Sequence, residues 1–146
     1  MSLLLLMLSL QTSDLRAAAG PDRLVVVVMK GTWCSVCLQQ LRSFYTQRDR
    51  LERLDTRVVG VAGDLPDSVT LEAAYWPILP DTDRSWLEAQ GLWLGEQAMP
   101  SLLVYDKCGV QRLRIEGRSP GDQAEDRVFE VLESLTPEIE DCPVLS

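Results

Sequence analysis

The stretch Leu24-Val25-Val26-Val27-Val28-Met29-Lys30-Gly31-Thr32-Trp33-Cys34-Ser35-Val36-Cys37 decides how the chain is read. Its first half is an unbroken apolar run, mostly β-branched. With no polar residue alternating in it, neither face is suited to water. That is the pattern of a strand in the middle of a sheet with helices on both sides. Its second half sets two cysteines three positions apart directly after the strand. A helical pattern then runs from Ser35 to Leu54, with Leu38, Leu41, Phe44, Tyr45, Leu51 and Leu54 falling mostly three or four apart among Arg and Gln. Cys34 therefore falls at the start of a helix, where backbone N–H groups lack partners and the dipole is positive. A thiolate is stabilised there, which lowers the thiol pKa. Cys37, close to one turn on, can attack a mixed disulfide at Cys34 and release product as a Cys34–Cys37 disulfide. Lys30 adds a positive charge nearby, and Trp33 gives a flat apolar neighbour that limits water and offers a docking surface.

The remaining elements follow in alternation. Arg57–Ala62 reads as a second buried strand, and Ser68–Tyr75 as a short helix capped near Asp67. Trp76–Pro80 is extended, because a residue before proline is pushed out of the α region. Asp81 or Thr82 caps a helix to Gln90, ended by Gly91. Ser101–Tyr105 is a strand, Asp106–Gly109 a hairpin turn and Val110–Glu116 an edge or half-buried strand. Gly117–Gly121 is a loop, and Asp122–Leu135 is an amphipathic helix. The order β-α-β-α-β-α-(α)-β-β-α predicts an α/β fold with a mixed sheet and helices on both faces. No repeat, linker, P-loop, dinucleotide-binding glycine pattern or EF-hand loop is present.

Length and composition narrow the chemistry. The chain has 146 residues, one domain's worth, and is 46% apolar and 25% charged. It contains no histidine. This excludes Ser-His-Asp and Cys-His catalysis, His-ligated metal or haem, and an imidazole switch. The net charge of −8 argues against nucleic acid. From Asp122 onward eight acidic residues face Arg127 alone, which accounts for −7 of that charge. A solvated helix face and tail explains it.

The N-terminus allows two readings. Leu3–Leu10 followed by Ala17-Ala18-Ala19 has parts of a secretory signal, but no Lys or Arg precedes the run. The other reading is a strand and then a helix, capped at Thr12 or Ser13 and stopped by Gly20-Pro21. Eight apolar residues are too few to span a bilayer. Residues 1–11 are thus a strand or a signal or anchor segment, 12–135 a redox domain and 136–146 a loose acidic tail.

Two plainer readings of the dithiol stand beside the redox one. It could be half a zinc site completed by Cys108 and Cys142, or a pair of structural cysteines. Cys108, in a predicted turn beside Lys107, and Cys142, in the tail, could pair, supply a distal resolving thiol or stay idle. The idle reading is preferred, because the local pair needs no long loop closure. Trp76, Trp86, Trp93 and Leu94 either edge the active-site groove or pack in the core, and core packing is the simpler fate. Asp64 and Asp67 are explained by turn and cap chemistry.

Lys30-Gly31-x-Trp33-Cys34-x-x-Cys37 with Leu41-Arg42, Arg57–Val61, Pro80–Asp83 and Pro100–Asp106 before a glycine turn together resemble the thioredoxin-like superfamily. More narrowly they resemble its redoxin branch, grouped with alkyl hydroperoxide reductases and thiol-specific antioxidants, the peroxiredoxin-like side. The resemblance covers residues 12–135. It implies a thioredoxin-like βαβαβα core closed by a β-hairpin and a C-terminal helix. It also implies that Pro100 is a cis-proline facing the dithiol and that Met99 flanks bound substrate through its backbone. The sequence departs from the pattern in two places. Val28 stands where many thioredoxins carry a buried acid. The Pro-x-x-x-Thr-x-x-Cys peroxide loop of peroxiredoxins is absent, since Gly31 lies three before Cys34, Thr32 two before it and Val27 seven before it.

The expected function is thiol–disulfide exchange, with Cys34 as nucleophile, Cys37 as resolving thiol and Trp33, Lys30 and Thr32 in support. Met99 and Pro100 face substrate. The cofactor expectation is none beyond the redox-active disulfide, and no metal. Partners would be a thiol or disulfide substrate and an external thiol reductant. The alternatives are a thiol peroxidase using Cys34, or a non-catalytic interaction or zinc-holding domain. The compartment expected is the cytoplasm, or the periplasm or exterior if residues 1–19 are a signal.

Overall fold

The computed structural model describes residues 10–117, 122–140 and 142. Its elements are α1 (Thr12–Ala19), β1 (Arg23–Val28), α2 (Ser35–Thr46), α3 (Arg48–Arg53), β2 (Thr56–Ala62), α4 (Ser68–Ala74), β3 (Ile78–Pro80), α5 (Ser85–Ala89), β4 (Ser101–Tyr105), β5 (Gln111–Glu116) and α6 (Asp122–Ser134). The strands form one mixed sheet in the order β3-β2-β1-β4-β5. The three strands β3, β2 and β1 run parallel, while β4 and β5 are antiparallel additions. The apolar run lies at the centre, as its pattern predicts: all six residues of β1 are buried.

Alternation along β1 divides the core in two. Val25, Val27 and Met29 pack with Leu41 and Phe44 of α2 and Val128, Phe129 and Leu132 of α6. Leu24, Val26 and Val28 pack on the other face with Leu15 and Ala19 of α1 and Trp86 and Leu87 of α5. Each fully buried aliphatic or aromatic side chain contributes about 1.5–3 kcal/mol by leaving water. Both sheet edges are guarded. Strand β3 is three residues long and ends in Pro80, and β5 turns Arg112, Arg114 and Glu116 outward.

Several boundaries differ from the sequence reading. The helix expected over 35–54 breaks at Gln47 into α2 and α3. There the Thr46 hydroxyl donates to the Ser43 carbonyl (2.6 Å), a side-chain bond that competes with the helical ladder. Helix α5 begins at Ser85, because Asp83 accepts the Ser85 N–H (3.1 Å) in an Asx turn and Arg84 is left-handed at φ 62°. Asp81 still caps this helix from a distance, accepting the Leu87 N–H at 2.8 Å. The α1 cap is Gln11, whose N–H donates to Asp14 (2.7 Å), not Thr12 or Ser13. The strand or signal read at Leu3–Leu10 lies outside the described residues except for Leu10, which is buried. The loop read at 118–121 also lies outside them.

The larger correction concerns the tail. Glu140 is not loose but buried, and it pairs with Arg23 at the start of β1. The carboxylate also accepts the Lys107 N–H (2.9 Å). The Arg23 guanidinium further donates to the carbonyls of Leu54 (2.7 Å) and Leu135 (3.3 Å). Beside this cluster Cys108 and Cys142 are joined in a disulfide with a Cα–Cα separation of 5.2 Å. They are therefore neither idle nor free secondary thiols. Glu140, two residues before Cys142, is held by Arg23 and by the Lys107 N–H next to Cys108, a closure that local spacing cannot reveal.

Hydrogen bonds from Arg23 hold the Glu140 carboxyl below the usual carboxylate range. A group lowered on folding stabilises the fold above its unfolded pKa, about 4.3, and loses that contribution as pH falls through the folded value. Glu140→Gln should cost about 3–5 kcal/mol at neutral pH, because it strands a buried guanidinium. Urea unfolding at pH 7 and pH 3 checks this, since the variant should lose less stability on acidification than the parent.

Candidate functional site

The site sits where β1 ends. Cys34 caps α2, and the Cys37 N–H donates to its sulfur (3.2 Å), so the first turn of the helix aims a donor at the outer cysteine. The Cys34–Cys37 pair is disulfide-bonded, with a Cα–Cα separation of 5.3 Å. The two sulfurs have unequal surroundings. Cys34 is half-buried at the rim of a groove, whereas Cys37 is 2% exposed and packs in the core. The Cys37 sulfur accepts the Lys30 N–H at 3.4 Å.

The loop before the helix is held by two devices. Trp33 lies back over Gly31, where a Cβ would come within 2.2 Å of the indole nitrogen. Only glycine allows that close approach. Thr32 is tied to Asp64 after β2, its N–H at 3.0 Å and its hydroxyl at 2.5 Å. Thr32 thus supports the site as a tether and does not point a hydroxyl at Cys34. Asp64, read from sequence as turn chemistry, is the other half of that tether. The Lys30 ammonium stands 5.7 Å from the centre of the Trp33 ring.

The groove beside Cys34 has a volume of about 520 Å³ and takes its walls from Lys30, Trp33, Val36, Leu94, Met99 and Pro100. Trp33 is 65% exposed and Leu94 53%. Met99 and Pro100 line the groove beside Cys34, and the bond between them is trans, not the cis bond that the resemblance implies. Their main chain is also occupied. The Met99 N–H donates to Leu92 (2.7 Å), the Met99 carbonyl accepts from the Ser101 hydroxyl (3.0 Å) and the Pro100 carbonyl accepts the Gly117 N–H (2.9 Å). With Pro100 placed just before the first residue of β4, the commoner trans form meets every ladder demand. The pair offers the groove side chains and not a free backbone edge.

Cys108 lies at the far end of the sheet. Strand β4 starts opposite Val28 and ends opposite Leu24, so the hairpin turn is a strand length from the dithiol, about 17 Å. Neither Cys108 nor Cys142 can resolve Cys34, and the four cysteines do not converge on a zinc ion. Among the described residues no group of three or more His, Cys, Asp or Glu side chains could hold a metal. Trp86 is buried in the core, while the Trp76 indole donates to Leu41 (3.0 Å), away from the groove.

One site residue went unread. Gln40, a turn beyond Cys37, is 2% exposed, and neither its amide nitrogen nor its amide oxygen has a hydrogen-bond partner. Leaving such groups unpaired costs about 1–3 kcal/mol each. It lines a cavity of about 20 Å³ behind Cys37, together with Val27, Val28, Ser101 and Ala124. The signal was available: position 40 falls on the face of α2 that carries Cys37, Leu41 and Phe44.

The sequence model of the AhpC/TSA family matches residues 5–113. The chain belongs to the AhpC/TSA family. Its fold is that of thioredoxin-like peroxiredoxins. The peroxidoxin BcpB of Mycobacterium tuberculosis superposes with a TM-score of 0.73 at 15% identity, over 84% of this chain and 85% of that one. Enterococcus faecalis AhpC gives 0.68 at 15% identity, over 86% and 81%. Mycobacterium tuberculosis AhpC gives 0.64 at 20% identity, over 86% and 73%. No curated protein matches the sequence. Among the described residues no helix of this family member is long and apolar enough to cross a membrane.

Asp64→Ala should free the loop ahead of Cys34. Hydrogen exchange at the Thr32 amide should rise at least tenfold, with global stability falling by about 1–3 kcal/mol. Unchanged protection at Thr32 would mean that the carboxylate does not hold the loop.

Proposed function

We propose that the protein is a thiol–disulfide oxidoreductase in which Cys34 attacks and Cys37 resolves. The observation that carries this reading is the asymmetry of the pair. The half-buried sulfur caps α2 at the edge of a groove, and its buried partner lies within disulfide reach of it. A Cys34 thiolate attacks a substrate disulfide; one substrate sulfur leaves as a thiolate and the other stays bonded to Cys34. Cys37, deprotonated, attacks Cys34, and the second substrate sulfur leaves with the electron pair. Each released thiolate is protonated by solvent. An external dithiol or thiol then reduces the Cys34–Cys37 bond. No histidine is needed, since the thiolate is stabilised by the first turn of α2, with the Cys37 N–H as its nearest donor.

Family membership favours a second reading in which Cys34 acts on a peroxide. Its thiolate would take one oxygen from hydrogen peroxide, giving a sulfenic acid and hydroxide, and Cys37 would condense with it to the disulfide and water. The engagement of Thr32 with Asp64 weighs against this reading, because it leaves that hydroxyl unavailable to a bound peroxide.

The two are separated by one set of variants. For the disulfide reading, Cys34→Ser should abolish reduction of a protein disulfide driven by a dithiol reductant, by at least a hundredfold. Cys37→Ser should trap a mixed disulfide at Cys34. If Cys37→Ser instead accumulates a sulfenic acid on mixing with stoichiometric peroxide within seconds, the peroxidase reading takes precedence. Full reductase activity in Cys34→Ser would defeat the proposal.

A further inference from the structure

We infer that Gln40 holds a water molecule in the cavity behind Cys37, and that this water hydrogen-bonds the Cys37 thiolate during resolution. The inference deepens the dithiol reading and rests on it. A glutamine amide that is 2% exposed, with both polar atoms unpartnered by protein, is normally satisfied by ordered water. The adjoining cavity of about 20 Å³ has room for one such molecule. Gln40 and Cys37 both line this cavity, one helical turn apart on α2, and apolar Val27, Val28, Leu102, Ile115 and Ala124 make up most of the rest of its wall.

Cys37 needs such a partner. To attack Cys34 it must give its proton to solvent and carry a charge where burial disfavours the charged form. Its own neighbours supply one donor, the Lys30 N–H at 3.4 Å. The charged and titratable groups around it are few. Lys30 follows β1 with its ammonium toward Trp33, and Cys34 shares α2. Glu125 of α6 is engaged by the Ser43 hydroxyl (2.8 Å) and the Gln47 amide (3.1 Å). Strands β4 and β5 bring Ser101, Leu102 and Ile115 to the cavity and no carboxylate. A water fixed by the Gln40 oxygen can donate to the sulfur the second hydrogen bond that no side chain provides. Gln40 is then a positioning residue, acting on Cys37 through the water.

The test uses the full chain, reduced and mixed with an aromatic disulfide that releases a coloured thiolate. The first release reports attack by Cys34, and the second reports displacement by Cys37. Release from a Cys34→Ser, Cys37→Ser double variant is subtracted, to remove any contribution from Cys108 and Cys142. In Gln40→Met, which keeps the volume and removes the orphaned amide, the first release should stay within twofold of the parent. The pH midpoint of the second should rise by about one unit. That cuts the thiolate tenfold at pH 7, partly offset by its greater nucleophilicity, for a net slowing of about three- to fourfold. A high-resolution crystal structure of the parent should place a water within hydrogen-bond distance of Gln40 and the reduced Cys37 sulfur, and Gln40→Met should lose it. An unshifted midpoint, or a dry cavity with the amide bonded to protein, overturns the inference. A parent protein without two-stage release overturns the dithiol reading, and the inference with it.

Discussion

Strand β1 is buried along its whole length, on both faces, between two other strands. Among the described residues no other strand is buried at every position. The burial of β1 obliges helices to cover both sides, and the alternation of its side chains assigns α2 and α6 to one side and α1 and α5 to the other. The same strand sets the position of the chemistry. A helix that follows directly from a central strand starts at the strand's C-terminal end, where its cap is open to solvent and the inward side of its first turn packs on the core. Cys34 and Cys37, with two residues between them, inherit those two environments.

The lack of histidine gives that placement its weight. A cysteine here has no imidazole to take its proton, so any activation comes from backbone donors and from what little polarity the core permits. The outer sulfur has the helix start. The inner one has mostly apolar neighbours, one main-chain N–H within hydrogen-bond distance and one glutamine lining the same cavity. The rest of the site is built to hold this arrangement still. Gly31 makes room for Trp33, Thr32 and Asp64 fasten the loop to the neighbouring strand, and Met99 and Pro100 close the groove with side chains while their own main chain stays engaged.

Much of this was legible because it depends on local pattern. The run at 24–29, the dithiol after it and the strand–turn–strand end each carry their period or spacing on the surface of the sequence. The misreadings share a different cause. Helix α5 starts late because the Asp83 side chain takes the Ser85 amide, and the long helix breaks because Thr46 takes a carbonyl. In both cases a short polar side chain outcompetes the ladder. Trans Pro100 departs from what the resemblance implies, and no spacing in the sequence distinguishes the two isomers. The partner of Arg23 lies 117 residues away, and that of Cys108 lies 34 residues away. Gln40 was the one miss with a local signal, a polar residue at an apolar phase of the helix.

The pairing of Arg23 with Glu140 has a consequence for how the molecule is made. The central strand is made 117 residues before Glu140, and its first residue brings a guanidinium into a site that water leaves on folding. Until residue 140 has followed, that charge has carbonyls but no counter-ion, and burying it unpaired is costly. The nascent sheet should therefore stay loosely associated at its Arg23 end while the dithiol end condenses around apolar residues already present. Closure at that end waits for Glu140. The pair is then a latch that closes only when both of its residues, 117 apart, have been made.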